Sequence, residues 1–208
     1  MENGKTKRLV TIAMLSAIAF LIAFLEIPIL GHAPFLKIDF SDVPVFIGMY
    51  LLGPISGVII AFFRSALQYA ATGGNMGYPI GSTAAFVASL AYTLPIYYII
   101  RHKPLQMGRN ILAGVTGTIS LTIILSILNY TFVLPAYLSV MGFNVGDMFG
   151  TMYNYFITAL IPFNFIKGAI ISLITFAVLY KMKAWLDRTK KRLNTDDEAT
   201  ITHGEQFQ

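Results

Sequence analysis

Cysteine is absent from the 208-residue chain, which excludes disulfides, thiolate metal sites and a cysteine nucleophile. Charge is scarce as well. Asp, Glu, Lys and Arg make up 12% of the residues, whereas a soluble domain carries about 25%. No phosphate-cradling P-loop is present, because Lys167-Gly168 lacks the glycine pattern required upstream. ATP hydrolysis by that route is therefore excluded. There is no His-Glu-x-x-His pair, and His32, His102 and His203 all fall outside the apolar runs, which argues against an intramembrane metalloenzyme. A Gly-x-Ser-x-Gly nucleophile elbow is also missing. No catalytic residue is assigned, and no cofactor or metal is expected.

What is plentiful is apolar side chain. The hydrophobic fraction is 56% and the mean hydropathy is +0.67. The charge deficit is what remains when most of a chain sits in hydrocarbon. The expected fold class is an all-α integral membrane protein, with residues 1–193 as one membrane domain and 194–208 as a polar, disordered cytoplasmic tail. The net charge of +5 does not point to nucleic acid, because the cations are distributed as membrane topology requires. Basic residues precede the first apolar run, Leu9–Leu30, but that run is too long for a signal peptide and reads as a retained helix.

A spanning helix needs about 20 apolar residues. Further runs occur at Ser82–Ile100, Ile111–Leu134 and Tyr155–Tyr180. Val43–Ala71 reads either as one helix ending near Phe63 or as two helices broken at Gly53-Pro54, where glycine loosens the backbone and proline removes a hydrogen bond. Charge decides between them, since Lys and Arg concentrate on the cytoplasmic side. Two helices give a bundle of six transmembrane helices with both termini cytoplasmic. Lys5, Lys7, Arg8, Arg101, Lys103, Arg109, Lys181, Lys183, Arg188, Lys190, Lys191 and Arg192 are then inside. Only Lys37 is outside, and Arg64 and Lys167 lie within helices. A single helix would reverse the side of every basic residue after it. The second helix, near Val43–Leu52, is too short to span alone and must lean on its neighbours. Gly31–Asp42, Thr72–Gly81 and Pro135–Asn154 become outer loops.

Polar residues inside the apolar runs are costly, about 2.5–3.5 kcal/mol for a charge at mid-bilayer on insertion scales. Glu26, Arg64, Gln68, Asn129, Asn164 and Lys167 all fall in the outer halves of their helices or near mid-depth, which suggests a polar pocket open to the outside. Asn164 and Lys167 are three apart and share a helix face. Together they suit a planar heterocycle with carbonyl and N–H groups along one edge. Each residue also has a structural reading: an interhelical hydrogen bond for Asn129, an interfacial pair with Lys37 for Glu26, and snorkelling or loop-carbonyl bonds for Arg64. Asp39 and Asp42 read as caps for the second helix, as does Ser41. Two small-residue ladders on the first helix, Ala13-x-x-x-Ala17 and Ala19-x-x-x-Ala23, allow close helix approach, within the bundle or to a partner.

Four segments carry a resemblance. Ala13-x-x-x-Ala17, the loop Pro34-Phe-Leu-Lys-Ile-Asp-Phe-Ser-Asp-Val-Pro44, Leu125-Ser-Ile-Leu-Asn-Tyr130 and Ile161-Pro-Phe-Asn-Phe-Ile-Lys-Gly168 resemble the substrate-binding (S) subunits of energy-coupling factor (ECF) vitamin transporters. Within that family the likeness is to the riboflavin-specific branch, over about Lys7 to Lys183. The resemblance implies a flavin-binding S component in a bacterial cell membrane that captures riboflavin from outside. It implies uptake powered by a transmembrane coupling subunit and two ATPase subunits, and a first outer loop that closes over the ligand. The family's flavin contacts fall on Asn129, Asn164 and Lys167, and its coupling-subunit contact on Ala13 and Ala17. Phe40, Tyr78 and Phe86 are candidate apolar walls, and Gln68 a candidate for the ribityl hydroxyls. Flavin mononucleotide is a candidate second ligand, through phosphate attraction to Lys37 and Arg64. Thiamin is disfavoured, because the sole tryptophan, Trp185, lies beyond the last run. The rival readings are a small dimeric ion-coupled transporter with Glu26 as its proton site, an S subunit for another vitamin, and a membrane chaperone or structural subunit without a ligand. The topology makes a direct forecast. Reporter fusions after Lys103 and after Arg192 should report cytoplasm, and one after Asn144 the exterior; an exterior signal at Lys103 overturns the six-helix count.

Overall fold

The structure is a computed structural model that describes residues 4–31, 36–101, 106–142 and 144–205, the side chains of residue 145 and of residues 193–205 excepted. His32, His102 and Lys103 lie outside the described residues, as does the side chain of His203.

The chain forms helices α1 (Gly4–Ala23), α2 (Asp42–Leu52), α3 (Pro54–Thr72), α4 (Ile80–Ile100) and α5 (Met107–Leu128). A π-helical turn (Asn129–Val133) joins α5 to α6 (Leu134–Met141) without a break. Two short helices follow, α7 (Val145–Phe149) and α8 (Met152–Tyr155). A second π-helical turn (Phe156–Leu160) leads into α9, whose helical backbone runs from Ile161 to Glu205, into the segment expected to be a disordered tail. Five helices among the described residues are long and apolar enough to cross a membrane: Gly4–Ala23, Pro54–Thr72, Ile80–Ile100, Met107–Met141 and Met152–Arg192. The apolar helix α2 is shorter than these.

The split of Val43–Ala71 into two helices is borne out. Gly53 adopts φ 94°, a conformation that a side chain resists, and Pro54 opens α3 at the position where a missing N–H costs nothing. Nearly every residue of α2 is buried, and it packs against α1, α3, α4 and α9. A helix apolar all round belongs in a core, which explains how eleven residues persist in a bundle of longer helices.

The first run ends earlier than the expected Leu30. α1 stops at Ala23, and Ile27–Pro28 (β1) pairs antiparallel with Lys37–Ile38 (β2). Pro28 cannot continue a helix and biases Ile27 towards extended backbone. Glu26 therefore sits in a loop rather than in a helix. The segment Pro135–Asn154, expected as an outer loop, is largely the helices α6 to α8.

The main core gathers Phe46, Leu51 and Leu52 of α2, Tyr92 and Ile96 of α4, Leu121 of α5, and Ile171 and Leu179 of α9. At one end of the bundle Arg8 donates to the Leu52 carbonyl (3.1 Å), and the Lys190 ammonium lies 4.7 Å from the Tyr50 ring centre. The opposite end holds the start of α2, the loop strands and the start of α9.

Candidate ligand-binding site

On α9 the three-residue spacing turns Asn164 and Lys167 inward together. Asn164 is fully buried, and Lys167 is 9% exposed. Neither the Asn164 Oδ1 nor its Nδ2 has a hydrogen-bond partner in the structure. Leaving a buried amide unpaired costs about 1–3 kcal/mol, so such an arrangement calls for a ligand or another source of partners. Asn129 is buried at the head of the first π turn, where its Nδ2 donates to the Leu125 carbonyl of its own helix (2.9 Å). Turns of this kind recur at functional sites. α9 lies very close to α5 beside Lys167. A β-carbon added at Gly168 would meet the Thr118 side chain at 2.4–2.8 Å, so only glycine fits that crossing.

A buried charge cluster surrounds Lys167. Its Nζ lies 3.8 Å from Asp39 Oδ2 in the loop before α2. The Asp39 Oδ1 accepts from the Ser41 backbone N–H (2.9 Å) and from the Ser41 hydroxyl. Arg64 of α3 is 2% exposed. One of its terminal nitrogens donates to the Ser41 hydroxyl and lies 3.7 Å from Asp42 and 3.9 Å from Asp39. The other donates to the Ala85 carbonyl (2.8 Å) and to the Ser65 hydroxyl (3.4 Å). Two carboxylates thus face two cations. Burial pushes the Asp39 carboxyl up, but the charges of Lys167 and Arg64 and the Ser41 hydrogen bonds outweigh it and hold the group below its ordinary range. The capping role expected of Ser41 and Asp42 is corrected: Ser41 occupies the N-cap, yet its hydroxyl makes no capping hydrogen bond and serves Arg64 and Asp39. Sequence reading missed Asp39 and Asp42 as charge partners. The available signal was that two buried cations need buried acids.

The other candidate residues are spread more widely. Phe40 follows Asp39 and is half-buried, as is Gln68 on α3. Tyr78 is 55% exposed in the turn before α4. Phe86 packs edge-on to Phe62 (6.2 Å between ring centres) and against the Ala19–Val45–Ile60–Ala61 cluster of α1, α2 and α3. It lines a cavity of about 170 Å³ between α3 and α4 whose walls include neither Asn164 nor Lys167. Glu26 and Lys37 form a partly exposed pair at 2.7 Å, as their structural reading expected. Both cations offered for a phosphate, Lys37 and Arg64, are thus already engaged by carboxylates. The two alanine ladders differ: Ala19 and Ala23 are buried in the bundle, whereas Ala13 and Ala17 are exposed. Among the described residues no cluster of His, Asp and Glu could hold a metal ion.

An apolar helical bundle with a buried polar face is the architecture of a membrane-embedded binding component, and comparison with known proteins names the class. Residues 7–179 match the family of the ECF transporter, substrate-specific component. The riboflavin transporter RibU of Staphylococcus aureus (strain TCH60) is 39% identical over 181 residues, which span 86% of this chain and 92% of that protein. The riboflavin transporter FmnP of Bacillus subtilis (strain 168) is 34% identical over 187 residues, 89% of this chain and 97% of that protein. A solved S component of a bacterial ECF transporter superposes with a TM-score of 0.71 at 36% identity, covering 88% of this chain and 98% of that one. The chain belongs to the substrate-specific components of ECF transporters. It is a multi-pass membrane protein and not an enzyme.

The crossing at Gly168 supplies a test of the site's frame. Gly168→Val should push α9 off Thr118, lower the thermal midpoint of the purified protein by several degrees and weaken ligand binding together with it, through overpacking of about 1–3 kcal/mol. An unchanged midpoint would mean that α9 and α5 are not in contact there.

Proposed function

We propose that the chain captures riboflavin at the outer side of a bacterial cell membrane and delivers it to partner subunits that drive uptake. One observation carries the reading: the unpartnered, fully buried amide of Asn164 stands one turn from the Lys167 ammonium. An amide offers a donor and an acceptor, and an ammonium offers donors only. That set complements the carbonyl and N–H edge of an isoalloxazine ring. Asn129 supplies a further amide from the neighbouring helix, and the loop bearing Phe40 covers the ring. Gln68, Tyr78 and Phe86 stand as more distant candidates, for the ribityl chain and the outer rim. Membership of a transporter family whose relatives FmnP and RibU are named riboflavin transporters supports the choice of ligand. Flavin mononucleotide is the weaker candidate, because its phosphate would meet Lys37 and Arg64 already paired. The ion-coupled alternative loses support for the same kind of reason, since Glu26 is in a surface pair rather than a dry site.

In this reading α2 counts as the sixth membrane helix, supported by its neighbours, and both termini are cytoplasmic. The ATP-driven step belongs to two ATPase subunits, reached through a transmembrane coupling subunit. The exposed Ala13–Ala17 face of α1 is the contact proposed for that coupling subunit.

Lys167→Met removes the donor and keeps the apolar bulk. Riboflavin affinity, read by flavin-fluorescence titration of purified protein, should fall by about 1.5–3 kcal/mol, roughly 10- to 150-fold. Asn164→Leu should act similarly. Unchanged affinity in Lys167→Met would place the site elsewhere. The coupling face is tested separately: Ala13→Trp with Ala17→Trp should abolish uptake by cells and leave riboflavin binding by the purified chain within about twofold, because the two bulky rings meet the partner and not the pocket. A parallel loss of both activities would show that this ladder packs inside the bundle.

A further inference from the structure

Lys167 is a flexible four-carbon stem ending in a point charge, and nothing intrinsic to lysine aims it. In this structure Asp39 stands beside it. The loop before α2 brings the Asp39 carboxylate to the α9 face, and its two oxygens are divided. Oδ2 faces Lys167 at 3.8 Å, while Oδ1 accepts from Ser41 and faces Arg64. At 3.8 Å the contact with Lys167 is an ion pair without a direct hydrogen bond. The ammonium is therefore charge-balanced while that contact spends none of its N–H donors. Asp39 is itself fixed, because Ser41 grips it from the side and the buried Arg64 is anchored to the Ala85 carbonyl.

We propose that Asp39 is a positioning residue of the binding site: it acts as the counter-ion that holds the Lys167 ammonium, with its donors free, towards the ligand. This rests on the reading of Lys167 as a ligand donor. Asp39 is expected to work through Lys167 and not through its own contact with the ligand. A carboxylate that merely shaped the loop would influence binding whether or not residue 167 carried a charge. One that acts on the ammonium loses its influence once the ammonium is gone.

The experiment is a double-mutant cycle on the full chain, with riboflavin as the probe and flavin-fluorescence titration as the readout. Lys167→Met alone should weaken binding roughly 10- to 150-fold. Asp39→Asn alone should weaken it about tenfold, as expected for a buried charge left without its partner. The double variant should bind within about twofold of Lys167→Met, far from the product of the two single losses. Losses that multiply would overturn the proposal and give Asp39 an independent role in the loop or on the ligand. So would an Asp39→Asn variant of unchanged affinity. Wild-type affinity in Lys167→Met would instead overturn the underlying assignment of Lys167. If Asp39→Asn does not fold, the double variant, which removes one charge of each sign, still decides: affinity equal to that of Lys167→Met supports the counter-ion role, and weaker binding overturns it.

Discussion

A guanidinium shut inside an apolar bundle dictates where the surrounding chain must go. The Arg64 guanidinium carries five N–H donors and no acceptor. Taking such an ion out of water costs several kcal/mol unless acids and acceptors meet it. Asp39, Ser41 and Asp42 come to it from the start of α2, and Ala85 from α4. One side chain on α3 thus ties down the loop, the short helix and a neighbouring long helix. The same acids leave Asp39 facing Lys167, so the charge balance of the candidate site and the placement of the loop above it are one arrangement.

Tight helix crossings complete the frame. α9 comes against α5 at Gly168 and Thr118, and Tyr92 of α4 shares a 2.7 Å hydrogen bond with Ser172 of α9. Where lipid surrounds the bundle, hydrophobicity gives helices little reason to prefer each other over acyl chains, so close packing and buried hydrogen bonds set their mutual positions. Asn164 and Lys167 inherit their placement from those crossings.

What could be read from the sequence divides along the range of the interactions. The break at Gly53-Pro54 was legible because both residues act on their own backbone. That Asn164 and Lys167 share a buried face followed from spacing and from the apolar run around them. The end of α1 was overrun because Phe24, Leu25, Ile29 and Leu30 are apolar in helix and hairpin alike; Pro28 was the one local cue. The ion cluster was hidden. Asp39 and Arg64 are far apart in sequence, and an acid ahead of a helix resembles an ordinary cap. The two alanine ladders are chemically identical in sequence, and only the packing of Ala19 against Val45 and Ile60 tells the inward one from the outward one. Apolar character alone marks Phe86 as a wall residue, and it says nothing about which interhelical groove the ring enters.

The burial of α2 also bears on the order in which the molecule is put together. Ribosomes deliver helices from the N-terminus onwards, and α2 emerges second. Yet part of the surface that buries it belongs to α9, which emerges much later. Early in synthesis α2 has only α1 and α3 beside it, and the acids at its start have Arg64 but not Lys167. The surroundings of α2 are therefore completed in a late step, when α9 docks and supplies both the missing wall of α2 and the second cation of the cluster.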